Sequence, residues 1–413
     1  MSVPGASVAA MRILHTSDWH LGRTLHGVDL HGAHEVFLDH LVELVRAEAV
    51  DAVVVAGDVY DRAVPPVASV ELLSDALARL SELTRVVVTP GNHDSATRLG
   101  FGAGLFRDRL LVRARVADVG TPVLLPDADG GPGALVYALP YLDPDMVRDT
   151  LTGPETGDDG APLRPARSHE AVTAAALRRV QADLAGRRAA EGPRVPAVLA
   201  AHAFVTGGAA SESERDIRVG GVDSVPSGVF GPAAALDYVA LGHLHGPQRV
   251  GREGVDPVIR YAGSPLAFSF SEAYHHKSTA LIDLGADGVR DVELVPTPVP
   301  RPLGDVDGTL AELLGRGFDD RAGNWLRVTV TDDVRPAQLW EQVARRFPHA
   351  LVVQHIPARV RERAAASAVT AAQDPLEVAA QFLEAAGGRP ADAAELAVLR
   401  EAYESVLSEA RSA

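Results

Sequence analysis

Ala52-Val53-Val54-Val55-Ala56-Gly57-Asp58-Val59-Tyr60-Asp61 is the stretch that decides the fold. Its first five residues are a continuous apolar run of strand length, and a glycine–aspartate turn ends it. Working outward, the same pattern returns. Met11–His15 is strand-like and runs into Thr16-Ser17-Asp18-Trp19-His20, and Arg85–Thr89 runs into Pro90-Gly91-Asn92-His93-Asp94. Ala197–Ala201 ends at His202, and Tyr238–Leu241 ends at Gly242-His243-Leu244-His245. Between the runs lie helical periodicities: one stripe of Phe37, Leu41, Leu44 and Val45, another of Val70, Leu73, Leu77 and Leu80 within 66–83, and an amphipathic run over 169–189. Short apolar strands alternating with such helices predict α/β layering.

The rest of the chain is organised differently. Residues 151–168 are rich in Gly, Pro and Asp and read as a loose connection, and the prolines at 296, 298, 300 and 302 mark a linker. Beyond it, Trp325–Val330 alternates, a helix is expected near 336–347, and Leu351–Gln354 is apolar, which predicts a small strand–helix–strand unit. Asp374-Pro375 with Glu377 starts a tail helix that Gly387-Gly388 stops, and Leu396, Leu399, Tyr403, Val406 and Leu407 form the stripe of a second. Met1–Ala10 is small and uncharged and reads as a disordered leader. It lacks the basic n-region and long h-region of a signal peptide, and no apolar run approaches the roughly 18 residues of a membrane span. A cytoplasmic protein without membrane attachment is expected.

The chain has 413 residues, 46% of them hydrophobic, enough for two or three cored domains. Its 39 basic residues against 55 acidic ones leave a formal charge of −16, which argues against a surface coated in positive charge for nucleic acid. Lys277 is the only lysine, a bias of composition shared with the abundance of Ala, Gly and Val. With no cysteine, disulfides, thiolate zinc sites and a cysteine nucleophile are excluded. A metal site must draw on His, Asp, Glu or Asn.

Five motifs occupy one kind of place, the C-terminal end of a strand: Asp18-x-His20, Gly57-Asp58-x-x-Asp61, Gly91-Asn92-His93-Asp94, His202 and Gly242-His243-x-His245. Open α/β sheets bind ligands at that edge. Residues two apart in extended backbone point the same way, so Asp18 with His20, and His243 with His245, can converge. Together the motifs offer two aspartates, an asparagine and four histidines, with His93 to spare. That set exceeds one ion and suits two sharing a carboxylate, for which Asp58 is the natural bridge. Two ions roughly 3.5–4 Å apart clamp a phosphoryl group and activate water for in-line displacement. Mixed N/O ligation without thiolate suits Mn²⁺, with Fe²⁺ or Zn²⁺ as alternatives and Mg²⁺ less favoured by so many imidazoles.

Taken singly, each motif has a plainer reading. An isolated Asp-x-His says little, His202 alone would be a strand-end histidine, and Asp58 and Asn92 are turn formers beside glycine. Turn formation does not explain the His-Asp that follows Asn92, nor five such motifs in order, each after a strand. Of the other histidines, His26, His31, His34 and His40 are expected on a solvated face, and His275-His276 in a loop.

The ordered set resembles the calcineurin-like metallophosphoesterases. Thr16-Ser17-Asp18-Trp19-His20-Leu21-Gly22, Arg215-Asp216-Ile217-Arg218-Val219-Gly220 and Arg260-Tyr261-Ala262-Gly263-Ser264-Pro265 narrow the resemblance to the SbcD-type nucleases of bacterial DNA repair, densely to about residue 283 and by pattern beyond. The resemblance implies a β-sandwich flanked by helices (11–295), a small α+β capping domain (300–365) that binds DNA, and C-terminal helices (366–413) that dock an SbcC-type coiled-coil ATPase. It implies a homodimer within a heterotetramer, nucleoid-associated in the cytoplasm, and a Mn²⁺-dependent exo- and endonuclease acting on DNA ends and hairpins. One metal would take Asp18, His20, Asp58 and His245, the other Asp58, Asn92, His202 and His243. His93 would be the catalytic histidine outside the ligand set, and Asp61 would orient it by accepting from its other ring nitrogen. Arg23, Arg215 and Arg218 are candidates for phosphate contact. The rival readings are a small-molecule phosphodiesterase or phosphatase of the same fold, against which the long C-terminal extension speaks, and a metal-free scaffold, against which the full set of ligand positions speaks.

Overall fold

The computed structural model describes residues 11–358 apart from 107, 128, 154–161, 163, 191–193, 215–223 and 232–234, together with 375–387, 389, 392, 394–400 and 402–403. The leader, Arg215, Arg218, Asp374, Gly388, Val406 and Leu407 lie outside the described residues. Strand β1 (Met11–Thr16) is followed by the short pair β2 (Thr24–Leu25) and β3 (Val28–Asp29), then β4 (Ala52–Ala56), β5 (Arg85–Thr89), β6 (Leu110–Val112), β7 (Val123–Pro126) and β8 (Pro132–Ala138). Next come β9 (Ala197–His202), β10 (Phe204–Val205), β11 (Ser224–Val225), β12 (Tyr238–Gly242), β13 (Gln248–Val250), β14 (Val258–Tyr261), β15 (Ser278–Gly285) and β16 (Gly288–Pro296).

They build two six-stranded sheets, ordered β16–β15–β1–β4–β5–β6 and β13–β14–β12–β9–β8–β7. In the first, β1, β4, β5 and β6 run parallel, with Ile13 opposite Ala52 and Val54 opposite Val87, and β15 joins β1 antiparallel. In the second, β8, β9, β12 and β14 run parallel between antiparallel edges. Side-chain alternation explains why β4 is apolar at every position. Ala52 and Val54, with Ile13 and Val87, pack against Val136, Val198, Ala200 and Ala240 of the other sheet. Val53 and Val55, with Leu14, Val86 and Val88, pack against Phe37, Leu41, Leu73 and Leu80 of the helices His31–Ala47 and Val67–Leu83. The outer face of the second sheet is covered likewise: Tyr137, Leu199, Val239 and Leu241 meet Val147, Val172, Val180 and Leu184 from the helices Pro144–Leu151 and His169–Ala189. No face of the central strands meets water, and each buried valine contributes about 1.5–3 kcal/mol over an exposed one.

One expectation is overturned. His34 is fully buried, on the same helical stripe as Phe37, Leu38 and Leu41, and its ring lies 6.3 Å from that of Phe268. Spacing three and four residues from core positions places it inward, and burial pushes its pKa down to about 4.

The chain divides into two compact units: residues up to 305 with 320–327 and 347–352, and 306–319 with 328–346 and the residues after 352. The proline-rich stretch 296–302 therefore belongs to the first unit. Strands β17 (Leu303–Gly308), β18 (Trp325–Val330) and β19 (Ala350–His355) form a three-stranded sheet, of which the sequence pattern shows only the last two. In the second unit, a Thr309–Glu312 capping box starts the helix Leu310–Leu314, and Val306, Leu313, Val328, Val330, Leu339 and Val343 are buried. The helix Leu339–Arg346 lies within the predicted span, and Pro375–Gly387 forms the first tail helix.

Candidate metal centre

The five motifs sit on the loops that leave β1, β4, β5, β9 and β12 at their C-terminal ends, and hydrogen bonds tie those loops together. The Asp18 amide donates to the Gly57 carbonyl and the His20 amide to the Asp58 carbonyl, each at 3.0 Å. The His243 amide donates to Asp18 Oδ1 at 3.0 Å and the His93 amide to Asp58 Oδ1 at 2.8 Å. Asp94, quoted within the motif but given no role by the sequence, joins two loops: its carboxylate accepts from the amides of Val59, Tyr60 and Gly91 at 2.9–3.0 Å. Burial, with the nearby charge of Asp58, pushes its pKa up to about 7 despite those donors.

Backbone conformation is unusual here. Nine described non-glycine residues have positive φ, and four of them are Asp18 (54°), His20 (46°), Asp58 (49°) and His243 (107°). Left-handed backbone at non-glycine residues costs on the order of 1–3 kcal/mol each and persists where surrounding structure imposes it. Two glycines are required for a different reason. A Cβ on Gly91 would strike the Asp58 carboxylate, and one on Gly242 would strike the Ala56 carbonyl oxygen and lie 2.8 Å from His202 Nδ1.

The side chains of these motifs come together. His20 Nε2 lies 3.1 Å from His245 Nε2, and Asp58 Oδ2 lies 3.6 Å from His20 Nε2, 3.4 Å from His202 Nε2 and 3.9 Å from His93 Nε2. Asn92 Oδ1 is 2.9 Å from His202 Nε2 and 3.3 Å from His243 Nδ1. Asp18, His20 and His245 form one potential metal-binding trio, and Asp18, Asp58 and His202 another; His20, Asp58 and His93 also come together. The donor set fits divalent ions. Two imidazole nitrogens 3.1 Å apart, both buried, stand at about the spacing of adjacent ligand atoms on one ion held at about 2.1 Å. His20 Nδ1 is buried with no hydrogen-bond partner.

Burial and mutual charge shift the protonation of these groups in different directions. Burial pushes Asp18 up to about 6, the response of a carboxylate taken from water without full compensation. Burial also acts against the charge of Asp58, but His202, His20 and His93 around it hold its carboxyl well below the usual range. Burial drives His20 far down and His243 to about 3, keeping both rings neutral, as a ligand must be. At His202 the same penalty is outweighed by Asp58 and Asp18, and its pKa rises to about 9.

Asp61 meets His93 differently from the expectation. His93 Nδ1 donates to the main-chain oxygen of Asp61 at 2.7 Å, while the Asp61 carboxylate accepts from Arg23 at 3.3 Å and lies 3.7 Å from His20 Nδ1. Arg23 also donates to the Ser213 carbonyl and stacks 4.9 Å from the centre of the Phe268 ring. Behind His245 lies a group that motif spacing does not reveal: Ser213, Glu214, Glu272 and Lys277. Glu214 accepts from the His245 amide at 2.8 Å. The other three reach His245 from the loop before β11 and from the segment leading into β15.

A phosphoesterase scaffold is what the comparisons find. The calcineurin-like phosphoesterase family matches residues 11–247, so the chain belongs to that class and is a hydrolase of phosphoesters. A second family, the type 5 capsule protein repressor C-terminal domain, matches residues 299–386. Within the class, the chain belongs to the family of the nuclease SbcCD subunits D. It is 34% identical to that subunit of Escherichia coli strain K12 over 331 residues, covering 78% of each chain. Identity is 39% over 321 residues with the subunit of Rhodobacter capsulatus (74% of each chain), and 33% over 335 residues with that of Bacillus subtilis (78% of this chain, 80% of the relative).

Proposed function

We propose that this chain is the nuclease subunit of an SbcCD-type complex, hydrolysing phosphodiester bonds in DNA with two divalent ions, Mn²⁺ by preference. The observation that carries the proposal is one buried cluster in which two sets of N/O donors meet at Asp58. One ion would be held by Asp18, His20, Asp58 and His245, the other by Asp58, Asn92, His202 and His243. When bound, such ions supply Lewis acidity toward a phosphoryl group and an activated water.

The chain's own groups complete the chemistry. The His93 side chain is 13% exposed, whereas those of His20 and His202 are fully buried, so His93 is the imidazole that substrate can reach. Its Nδ1 proton is engaged by the Asp61 carbonyl, so it exchanges a proton through Nε2, on the side of Asp58. That geometry suits His93 to donate to the leaving oxygen or the scissile phosphate as a general acid. Asp61 is thus its positioning residue, acting through the main chain, while the Asp61 carboxylate and Phe268 hold Arg23 for a phosphate contact.

The expected division of labour is catalysis in 11–295, DNA capping in 300–365 and ATPase docking in 366–413. It is supported by the family match over 299–386 and by the relatives' designation as subunits of SbcCD. A homodimer within a heterotetramer, working at the nucleoid in the cytoplasm, completes the proposal. No helix among the described residues is long and apolar enough to cross a membrane. The test is a nuclease assay with Mn²⁺ on blocked and free DNA ends, with and without the ATPase and ATP. Cleavage of duplex DNA that depends on Mn²⁺ is expected. Turnover of small phosphodiesters with no cleavage of DNA in the complex would overturn it.

A further inference from the structure

Lys277 is the only lysine among 39 basic residues, and it is buried directly behind the metal centre. Its ammonium donates to three acceptors: the His245 carbonyl at 3.0 Å, Ser264 Oγ at 2.8 Å and Glu272 Oε2 in a short contact. Ser264 passes its own proton to the Leu266 carbonyl at 2.7 Å. Three donors meet three acceptors, and none is left over. A guanidinium carries five donors in a planar fork and would leave buried N–H groups unsatisfied, so arginine cannot take this place as it does elsewhere in the chain.

The other carboxylate oxygen of Glu272 faces the metal centre. Glu272 Oε1 accepts the Ser213 hydroxyl in a short contact and lies 3.3 Å from His245 Nδ1. Ser213 Oγ is also 2.6 Å from His245 Nδ1. A hydroxyl has one proton, and here it goes to the carboxylate, so Ser213 must accept from His245 Nδ1–H. The direction of every bond follows from its ends. Lys277 can only donate, ionised Glu272 can only accept, and His245 is left with its proton on Nδ1 and its lone pair on Nε2, the atom facing His20.

We propose that the Lys277–Glu272 pair, through Ser213, is the positioning device that sets the tautomer and ring orientation of His245 for metal binding. This rests on the two-ion reading above. None of Ser213, Glu272 and Lys277 lies in the five motifs. Histidine ligands generally donate their second nitrogen to a carboxylate, and losing such a partner costs about 10–100-fold in metal affinity. The charge on Lys277 allows that carboxylate to remain ionised away from water.

The experiment separates positioning from packing. Replacing one member of a buried ion pair destabilises a fold strongly, whereas replacing both by neutral groups of similar volume is tolerated. The single variants E272Q and K277M are therefore expected to lower Tm, and the double variant E272Q/K277M to regain it. Mn²⁺ titration by calorimetry on the full chain is expected to give two sites in the wild type. In the double variant, one site should weaken by about 10–100-fold while the other is unchanged. Ser213→Ala keeps the ion pair intact and should weaken the same single site with Tm near that of the wild type. Two wild-type Mn²⁺ affinities in whichever of these two variants folds overturn the proposal. A wild type that binds no Mn²⁺ overturns the two-ion reading instead, so the two failures are distinguishable.

Discussion

His93 stands outside the proposed ligand set, and its ring is partly open. The expected outcome of His93→Gln is a fall in DNA cleavage of about 10²–10⁴-fold, the usual contribution of a general acid, with two Mn²⁺ still bound by calorimetry. Full activity in that variant would falsify the role given to it. Gly242 is constrained by space, because a Cβ there would strike the Ala56 carbonyl oxygen and crowd His202 and Ser17. Gly242→Ala forces one of these to move and should cost about 1–3 kcal/mol of stability, read from urea denaturation, as overpacking does. It should also weaken Mn²⁺ binding, since His202 and His243 flank the displaced backbone.

At the scale of elements, the helices flanking the two sheets act through packing and capping, and none of the five motifs lies on them. Leu41 is fully buried between the helix His31–Ala47 and the first sheet, and Leu41→Ala should cost about 2–5 kcal/mol. The helix His169–Ala189 begins at Ser168, whose hydroxyl accepts from the Ala171 amide at 3.2 Å. Ser168→Ala should cost about 1 kcal/mol and leave the rate of DNA cleavage unchanged. Chemical denaturation with parallel activity assays checks both. The loops between strand and helix carry the opposite risk: their left-handed residues are strained, so substitutions there should alter metal binding more than their burial suggests.

For the whole molecule, metal binding and stability are linked. The proposed ligands come from loops of both sheets, so ions bound across them would favour the folded state. Saturation at about 100 times Kd adds about 2.7 kcal/mol per site. Chelation is therefore expected to lower Tm, and Mn²⁺ to restore it in a concentration-dependent way, by scanning calorimetry. An unchanged Tm on chelation would mean the cluster forms without ions. The formal charge of −16 sets a second expectation. DNA approaches an acidic molecule through a local patch only, so binding by the isolated chain should be weak and fall steeply with salt, as titrations of DNA affinity against ionic strength would show.

Strand runs, helix stripes and the five motifs were legible in the residues, because periodicity and strand-end glycines report on burial and turning directly. His34 departs from the expectation because a histidine on a helix reveals its direction only through its neighbours on the stripe. The residue type of Asp61 points to its carboxylate, and only folding brings its carbonyl to His93. Ser213, Glu272 and Lys277 have no shared spacing, being 59 and 5 residues apart, and become one network only where two loops pack behind His245. What the sequence determined by itself was the inventory: strands that end in metal-capable side chains, no thiolate, and one histidine beyond the proposed ligand set. The tertiary structure alone decided which carboxylate faces which ring and which backbone is forced left-handed. Those relations depend on distances across sheets, and a linear chain encodes them only through its packing.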